Sequence, residues 1–342
     1  MKLHRTLAVT LALASFSLNA HSAGPASNGA SLNQLLAEAP AAPQAALIPA
    51  QPAPVTISSR EVTGVYQNFF QSADAQFDAA AADRLRAYTV LLVPGFLSDV
   101  NPSQFHLSFL SPVSDGYFED QMKWLKELGV EHQRLVLQSE SSVQTNAAVI
   151  SAAIKASDKP VLIIGHSKGG LDTLEALRAD KTLLAKVRGV ITLQSPFYGS
   201  PVAEYVNSHS ILSDQAIKLL LKMGGTKESM VNLSETDRKK YMADNAAGIA
   251  EITAAIPVIS VATFKNPVHH QWDTNLKFFR DAMLDHGIVN DGLVPVDSAA
   301  LPGADLVKLE GLDHSVTVRV SKNIPLDRTK FTKALLLTLF SK

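Results

Sequence analysis

The sequence predicts an α/β domain: a mainly parallel sheet flanked by helices. Three observations carry this. Strand-like and helix-like segments alternate in one order from residue 89 to the end. The strand-like runs are continuously apolar and rich in Val, Ile and Leu, as strands buried on both faces are. A hydrophobic content of 46% against 18% charged residues supports a sizeable core. A chain of 342 residues has room for two domains, but the single recurring order favours one, over 57–342.

Strands are expected at Thr89–Val93, Arg134–Gln138, Val161–Ile164, Gly189–Leu193, Val258–Ala262 and Asp305–Leu309. Helices are expected at Tyr117–Leu128, Ser142–Lys155, Leu171–Ala179 and around Asp327–Phe340. The stretch between the strands near 193 and 258 is far longer than a crossover helix needs. It carries a helix-like run from Ser213, an N-cap residue, to Gly224, a C′ glycine. Leu219, Leu220 and Leu221 in succession cover too wide an arc for a one-sided surface helix. Two readings fit: a helix buried on most sides, or a cap or lid over an apolar site, spanning about 204–250. Long insertions in compact domains are usually functional, which favours the lid.

Before the domain, Met1-Lys2-Leu3-His4-Arg5 is a basic start and Thr6 to Leu18 an uncharged, mostly apolar run. Small residues at Ala20, Ser22 and Ala23 then offer a cleavage site. Residues 1–23 therefore read as a signal peptide, with an N-terminal anchor as the alternative, and imply a secreted or periplasmic location. Residues 24–56 are rich in Ala and Pro and read as a linker or disordered tail. The chain has no cysteine, so disulfides play no part even in an oxidising compartment. A net charge of −1 with no basic cluster excludes a nucleic-acid partner.

The chemistry centres on Gly165-His166-Ser167-Lys168-Gly169. The bare pattern carries little. Its setting carries more, because it follows the apolar run Val161-Leu162-Ile163-Ile164 and precedes a helix-like stretch. Strand, tight turn and helix form the context of a nucleophile elbow, in which Ser167 is exposed at the strand's carboxyl end. A serine hydroxyl needs a general base and a group to orient that base, and here the chain order is Ser, then Asp or Glu, then His. Of the downstream histidines His209, His269, His270, His286 and His314, only His314 lies shortly after the last strand. Asp291, in Asn290-Asp291-Gly292-Leu293-Val294-Pro295, is the favoured acid, with Asp285 and Asp297 as competitors and an Asx-turn as its non-catalytic role. Backbone N–H groups of Lys168 and of Phe96, after the strand end Val93-Pro94-Gly95, are the expected oxyanion donors. His269-His270-Gln271-Trp272-Asp273 is better read as a surface or pocket-rim loop than as a metal site. Asp172 should turn away from the elbow tip, in a helix-surface or packing role.

Pro94-Gly95-Phe96, Gly165–Gly170, Gln194-Ser195-Pro196-Phe197-Tyr198-Gly199-Ser200-Pro201-Val202-Ala203 and Asn290–Pro295 together resemble the bacterial triacylglycerol lipases and esterases of the α/β-hydrolase superfamily. The resemblance runs motif by motif over about residues 85–320. It implies the α/β-hydrolase fold, a serine carboxylic-ester hydrolase acting on acyl glycerols or other apolar esters, and a lid that contacts a lipid interface. Acyl transfer or polyester cleavage with the same triad, and a non-catalytic binding protein on this fold, are the alternatives. No cofactor is implied. Some members of the group hold a calcium ion near the His loop, but its ligands have no match here. Two departures stand out: Pro94-Gly95 where the group has His-Gly, and Lys168 after the nucleophile. A cation near the acyl pocket would favour a negatively charged substrate.

Overall fold

The computed structural model describes residues 58–77, 79–95, 116–138, 141–208, 231–265, 276–321 and 323–341. Seven strands form one sheet: β1 (Arg60–Glu61), β2 (Thr89–Val93), β3 (Glu131–Arg134), β4 (Val161–His166), β5 (Val187–Leu193), β6 (Val258–Phe264) and β7 (Asp305–Glu310). Their spatial order is β1-β7-β6-β5-β4-β2-β3, with every pairing parallel. This is the α/β-hydrolase fold expected from the sequence.

Every residue of β2 and β4 is buried, because helices cover both faces of the sheet. Side chains alternate between the two layers, as the pleat requires. Leu91, Val93, Val161 and Ile163 face a layer containing α4 (Val143–Ala156), α5 (Lys168–Ala179) and α8 (Ala246–Ala255). Val90, Leu92, Leu162 and Ile164 face α1 (Thr63–Gln76), α2 (Ala79–Arg86), α3 (Glu119–Glu127) and α10 (Arg328–Phe340). Caps define the helix starts: Ser142 Oγ accepts from Thr145 N, and Asp327 Oδ1 accepts from Lys330 N.

The expected strands match closely except the second, which sits at Glu131–Arg134 rather than Arg134–Gln138. It is an edge strand with alternating exposed and half-buried polar residues, and so lacks the apolar run that marks a central strand. The short edge strand β1 and helices α1 and α2 were not expected; the sheet begins before residue 89. Of the stretch expected to form a cap, 209–230 lies outside the described residues. On its near side is α6 (Pro201–Ser208); on its far side are α7 (Glu235–Asp244) and α8. Met242, Ile249 and Ile252 of these last two helices share a buried cluster with Leu174 and Leu177 of α5. That part of the range belongs to the body of the domain. The expected signal peptide, the linker and the His269–Asp273 stretch also lie outside the described residues.

Two excursions are closed at their bases by the main chain. Ser200 N donates to Leu233 O at 2.9 Å, and Ser200 bridges Ser234. Lys265 N donates to Asn290 O at 3.1 Å.

Chain order steps outward from β2 to β3, then returns past β2 to β4 and on to β7. The direction therefore reverses at the β2/β4 pair, and the carboxyl ends at such a switch point are where α/β sheets form ligand crevices. Ser167 and Gly95 both sit there. Gly169, at the start of α5, is what lets the helix begin so close to β2: a Cβ on it would lie 2.4 Å from Val93 O and 2.6 Å from Pro94 O. Gly169→Ala is expected to destabilise the protein by about 1–3 kcal/mol through this overpacking, read as a lowered urea midpoint with an unchanged m-value.

Candidate active site

Ser167, between the end of β4 and the start of α5, has φ 54° and ψ −126°, a left-handed backbone that an L residue adopts only under constraint. The constraint is visible. Its N–H donates to Leu193 O of β5 at 2.8 Å, and Gly165 and Gly169 let the strand end and helix start approach where side chains would collide. The turn aims Oγ at the carboxyl edge of the sheet.

The structure brings the three side chains expected from chain order into one hydrogen-bonded line. His314 Nε2 lies 2.9 Å from Ser167 Oγ, and His314 Nδ1 lies 2.9 Å from Asp291 Oδ2. All three residues are buried. His314 lies on the loop after β7, and its N–H donates to Asp291 O at 3.0 Å, so backbone and side chain both tie His314 to Asp291. Asp291 is held in turn: its Oδ1 accepts from Leu293 N at 3.0 Å and Val294 N at 2.8 Å. The Asx-turn role and the place beside the base therefore coexist, one on each carboxylate oxygen. Asp285 and Asp297 have no contact with His314 among the described hydrogen bonds.

The loop carrying Asp291 is braced by the stretch after β5. Ser200 Oγ donates to Leu293 O at 2.6 Å, and Ser298 Oγ donates to Gly199 O at 2.5 Å. The Gln194–Pro201 and Asn290–Pro295 motifs, far apart in sequence, are thus one interlocked unit. Gln194, itself at φ 52°, reaches the base loop: Nε2 donates to Asp313 O at 2.8 Å, and Oε1 accepts from Thr317 Oγ1 at 2.6 Å.

Lys168 departs from expectation. Its side chain is 1% exposed, and Nζ lies 2.9 and 3.1 Å from the two oxygens of Asp172, also 1% exposed. The (i, i+4) spacing turns the ammonium back along α5 and into the protein, so it is not a cation presented to an acyl pocket. Asp172 is correspondingly a core partner rather than a surface residue, and it also accepts from Asn146 Nδ2 at 2.9 Å. Burial pushes the Asp172 carboxyl up to about 6, against the opposing pull of Lys168. Phe96 lies outside the described residues.

Two residues with no catalytic reading in the sequence complete the setting. His166, the variable residue of the elbow motif, has Nδ1 2.5 Å from Tyr117 Oη and Nε2 2.7 Å from His314 O. Tyr117 Oη also accepts from Gly95 N at 2.9 Å. Burial holds the His166 imidazole well below its ordinary 6.5, and electrostatic coupling to His314 and the Arg319 guanidinium adds to the effect. A polar residue closing an apolar strand was the only sequence signal for His166, and Tyr117 had none.

No family model and no curated protein sequence matches the chain. Solved structures do. The metagenomic carboxyl esterase MGS0156 superposes with a TM-score of 0.63 at 20% identity, covering 88% of this chain and 99% of that one. The mature lipase BlEst2 of Bacillus licheniformis gives a TM-score of 0.53 at 21% identity, covering 67% of this chain and 85% of that one. At these identities the likeness establishes the fold.

Two predictions follow from the buried charges. Asp172→Ala leaves Lys168 buried without its counter-ion and should cost about 3–5 kcal/mol in urea unfolding, whereas Lys168→Met combined with Asp172→Leu should cost far less. For His166, the unfolded chain binds a proton near pH 6.5 that the folded protein refuses. Its contribution to stability is therefore present above pH 6.5 and lost as pH falls. Asp172, with a raised folded value, works in the opposite sense, losing its contribution as pH rises through about 6. Comparison with His166→Gln isolates the histidine. Between pH 6.5 and 5 the wild type should lose up to about 1.4 kcal/mol per pH unit relative to that variant, measured by urea unfolding at each pH.

Proposed function

We propose that this protein is an exported serine hydrolase of apolar carboxylic esters, working through Ser167, His314 and Asp291. The observation that supports the reading most is the continuous line of two 2.9 Å hydrogen bonds, Ser167 Oγ to His314 Nε2 and His314 Nδ1 to Asp291 Oδ2, at an elbow of strained backbone. The esterase and lipase names of the structural neighbours agree with it.

In the resting state His314 Nδ1–H donates to Asp291 Oδ2, which leaves Nε2 free to accept the Ser167 hydroxyl proton. Oγ attacks the ester carbonyl as Nε2 takes that proton, and Asp291 stabilises the imidazolium. The carbonyl oxygen becomes an oxyanion, met by the Lys168 amide at the first turn of α5 and by the Phe96 amide after β2. His314 then protonates the leaving alkoxide. Water, deprotonated by the same nitrogen, releases the acid from the acyl-enzyme. The reaction draws its protons from these side chains and requires no cofactor.

The apolar composition of 211–223 supports a medium or long acyl chain and contact with a lipid interface. The basic start and apolar run of residues 1–23 support export, to the periplasm or beyond.

Ser167→Ala and His314→Ala should each lower kcat for p-nitrophenyl esters by three or more orders of magnitude, on the order of what single triad deletions cost, with the fold retained by circular dichroism. A fluorophosphonate should add to Ser167, seen by peptide mass spectrometry. A well-folded wild type that takes no adduct there would sink the enzyme reading. Rates across acyl lengths test the substrate class: a maximum at acetate with none at long chains would remove the lipase-like reading. Acyl transfer would show as ester formation outrunning hydrolysis when an alcohol is added.

A further inference from the structure

We propose that Tyr117 and His166 are positioning residues, forming a hydrogen-bond relay that sets the backbone at Gly95 and the catalytic base relative to each other. This rests on the hydrolase reading above and extends it to residues outside the triad.

The relay has one internally consistent proton arrangement. His314 O is a carbonyl and can only accept, so the 2.7 Å contact requires a proton on His166 Nε2. A neutral imidazole then has a bare Nδ1, which accepts the Tyr117 hydroxyl proton across 2.5 Å. The Tyr117 oxygen, having given its proton away, accepts Gly95 N–H at 2.9 Å. The bonds run head to tail from Gly95 N–H through Tyr117 and His166 to the His314 carbonyl, an arrangement in which each bond polarises the next. Both side chains are buried, and the Arg319 guanidinium caps the Tyr117 ring at 4.7 Å.

What the relay joins matters more than its strength. Gly95 is the last described residue after β2, and the next amide is the proposed Phe96 donor. A Cβ on Gly95 would lie 2.7 Å from Ser167 Cβ and 2.8 Å from His166 O, so this backbone already rests against the elbow. The hydrogen bond to its N–H fixes the Pro94–Gly95 peptide plane, the one that leads into Gly95. At the other end the bond fixes the carbonyl of the residue whose imidazole must meet Oγ. Three segments from β2, β4 and β7, distant in the chain, are thereby set by two side chains.

Tyr117→Phe keeps the ring and deletes the oxygen. In folded protein it should lower kcat by about 10- to 100-fold, less than loss of a whole oxyanion donor, with KM changed by no more than about twofold. Inhibition by a trifluoromethyl ketone, whose hemiketal oxygen occupies the oxyanion position, should weaken by the same factor as kcat/KM. His166→Gln retains a donor for the His314 carbonyl and should recover about tenfold in kcat over His166→Leu. In the wild type, where no variant need fold, 15N-labelled histidine NMR should give His166 the Nε2–H tautomer at pH 7. A Tyr117→Phe enzyme with full kcat, equal rates for the Gln and Leu variants, or a proton on His166 Nδ1 would each overturn the relay. Full activity in Ser167→Ala would instead overturn the hydrolase reading, and with it any catalytic role for the relay. An inactive Ser167→Ala beside a fully active Tyr117→Phe would remove the relay alone.

Discussion

The rest of the site depends on the backbone of Ser167 remaining in a conformation it would not choose. A left-handed non-glycine residue costs about 1–3 kcal/mol and persists only where its surroundings over-determine it. Here they do so from three sides. The amide of Ser167 is bonded across to β5, the helix start behind it is pressed against the last carbonyls of β2, and Gly95 rests on its Cβ. Small residues at 95, 165 and 169 are the condition for that closeness. With any of them enlarged, the strand ends would separate and the serine could relax into ordinary extended or helical backbone.

The same closeness explains how the base and acid are organised. His314 and Asp291 are on loops, which are the least determined parts of a fold, yet Asp291 is bound by several hydrogen bonds to main chain and His314 by its N–H to Asp291 O and its carbonyl to the His166 ring. Asp291 divides its two oxygens between the turn and the imidazole. Gln194, Ser200 and Ser298 bond the loops to one another. Beneath the elbow, Lys168 and Asp172 form a buried ion pair within the first turns of α5. Such pairs contribute little net stability compared with apolar packing, but they are unforgiving of disruption. Their presence makes the helix start a place where charge as well as shape must be matched.

Much of this was legible in the sequence, and the boundary of legibility has physical causes. The central strands announce themselves because burial on both faces demands unbroken apolar runs, as at 89–93 and 161–164. The proposed triad could be picked out because chain order on this fold leaves His314 nearly alone after the last strand. Edge elements were misplaced or missed, since Glu131–Arg134 needs only backbone pairing and has no apolar face to advertise. The side chain of Lys168 was misread because position beside a nucleophile says nothing about direction, and direction was set by Asp172 one helical turn on. Tyr117 was invisible for a deeper reason: its role comes from two partners, Gly95 and His166, that only the folded chain makes its neighbours.

The main-chain ties at Ser200–Leu233 and Lys265–Asn290 give the molecule a modular character. Each fastens the two ends of an excursion to each other before the chain rejoins the catalytic framework. The entropy of closing a loop grows only slowly with its length, so stretches inside such ties can lengthen, shorten or change composition at little cost to the scaffold. Selection, or an engineer, can therefore rewrite those stretches while leaving Ser167 where it is. Chains sharing as little as a fifth of their residues can then keep one framework.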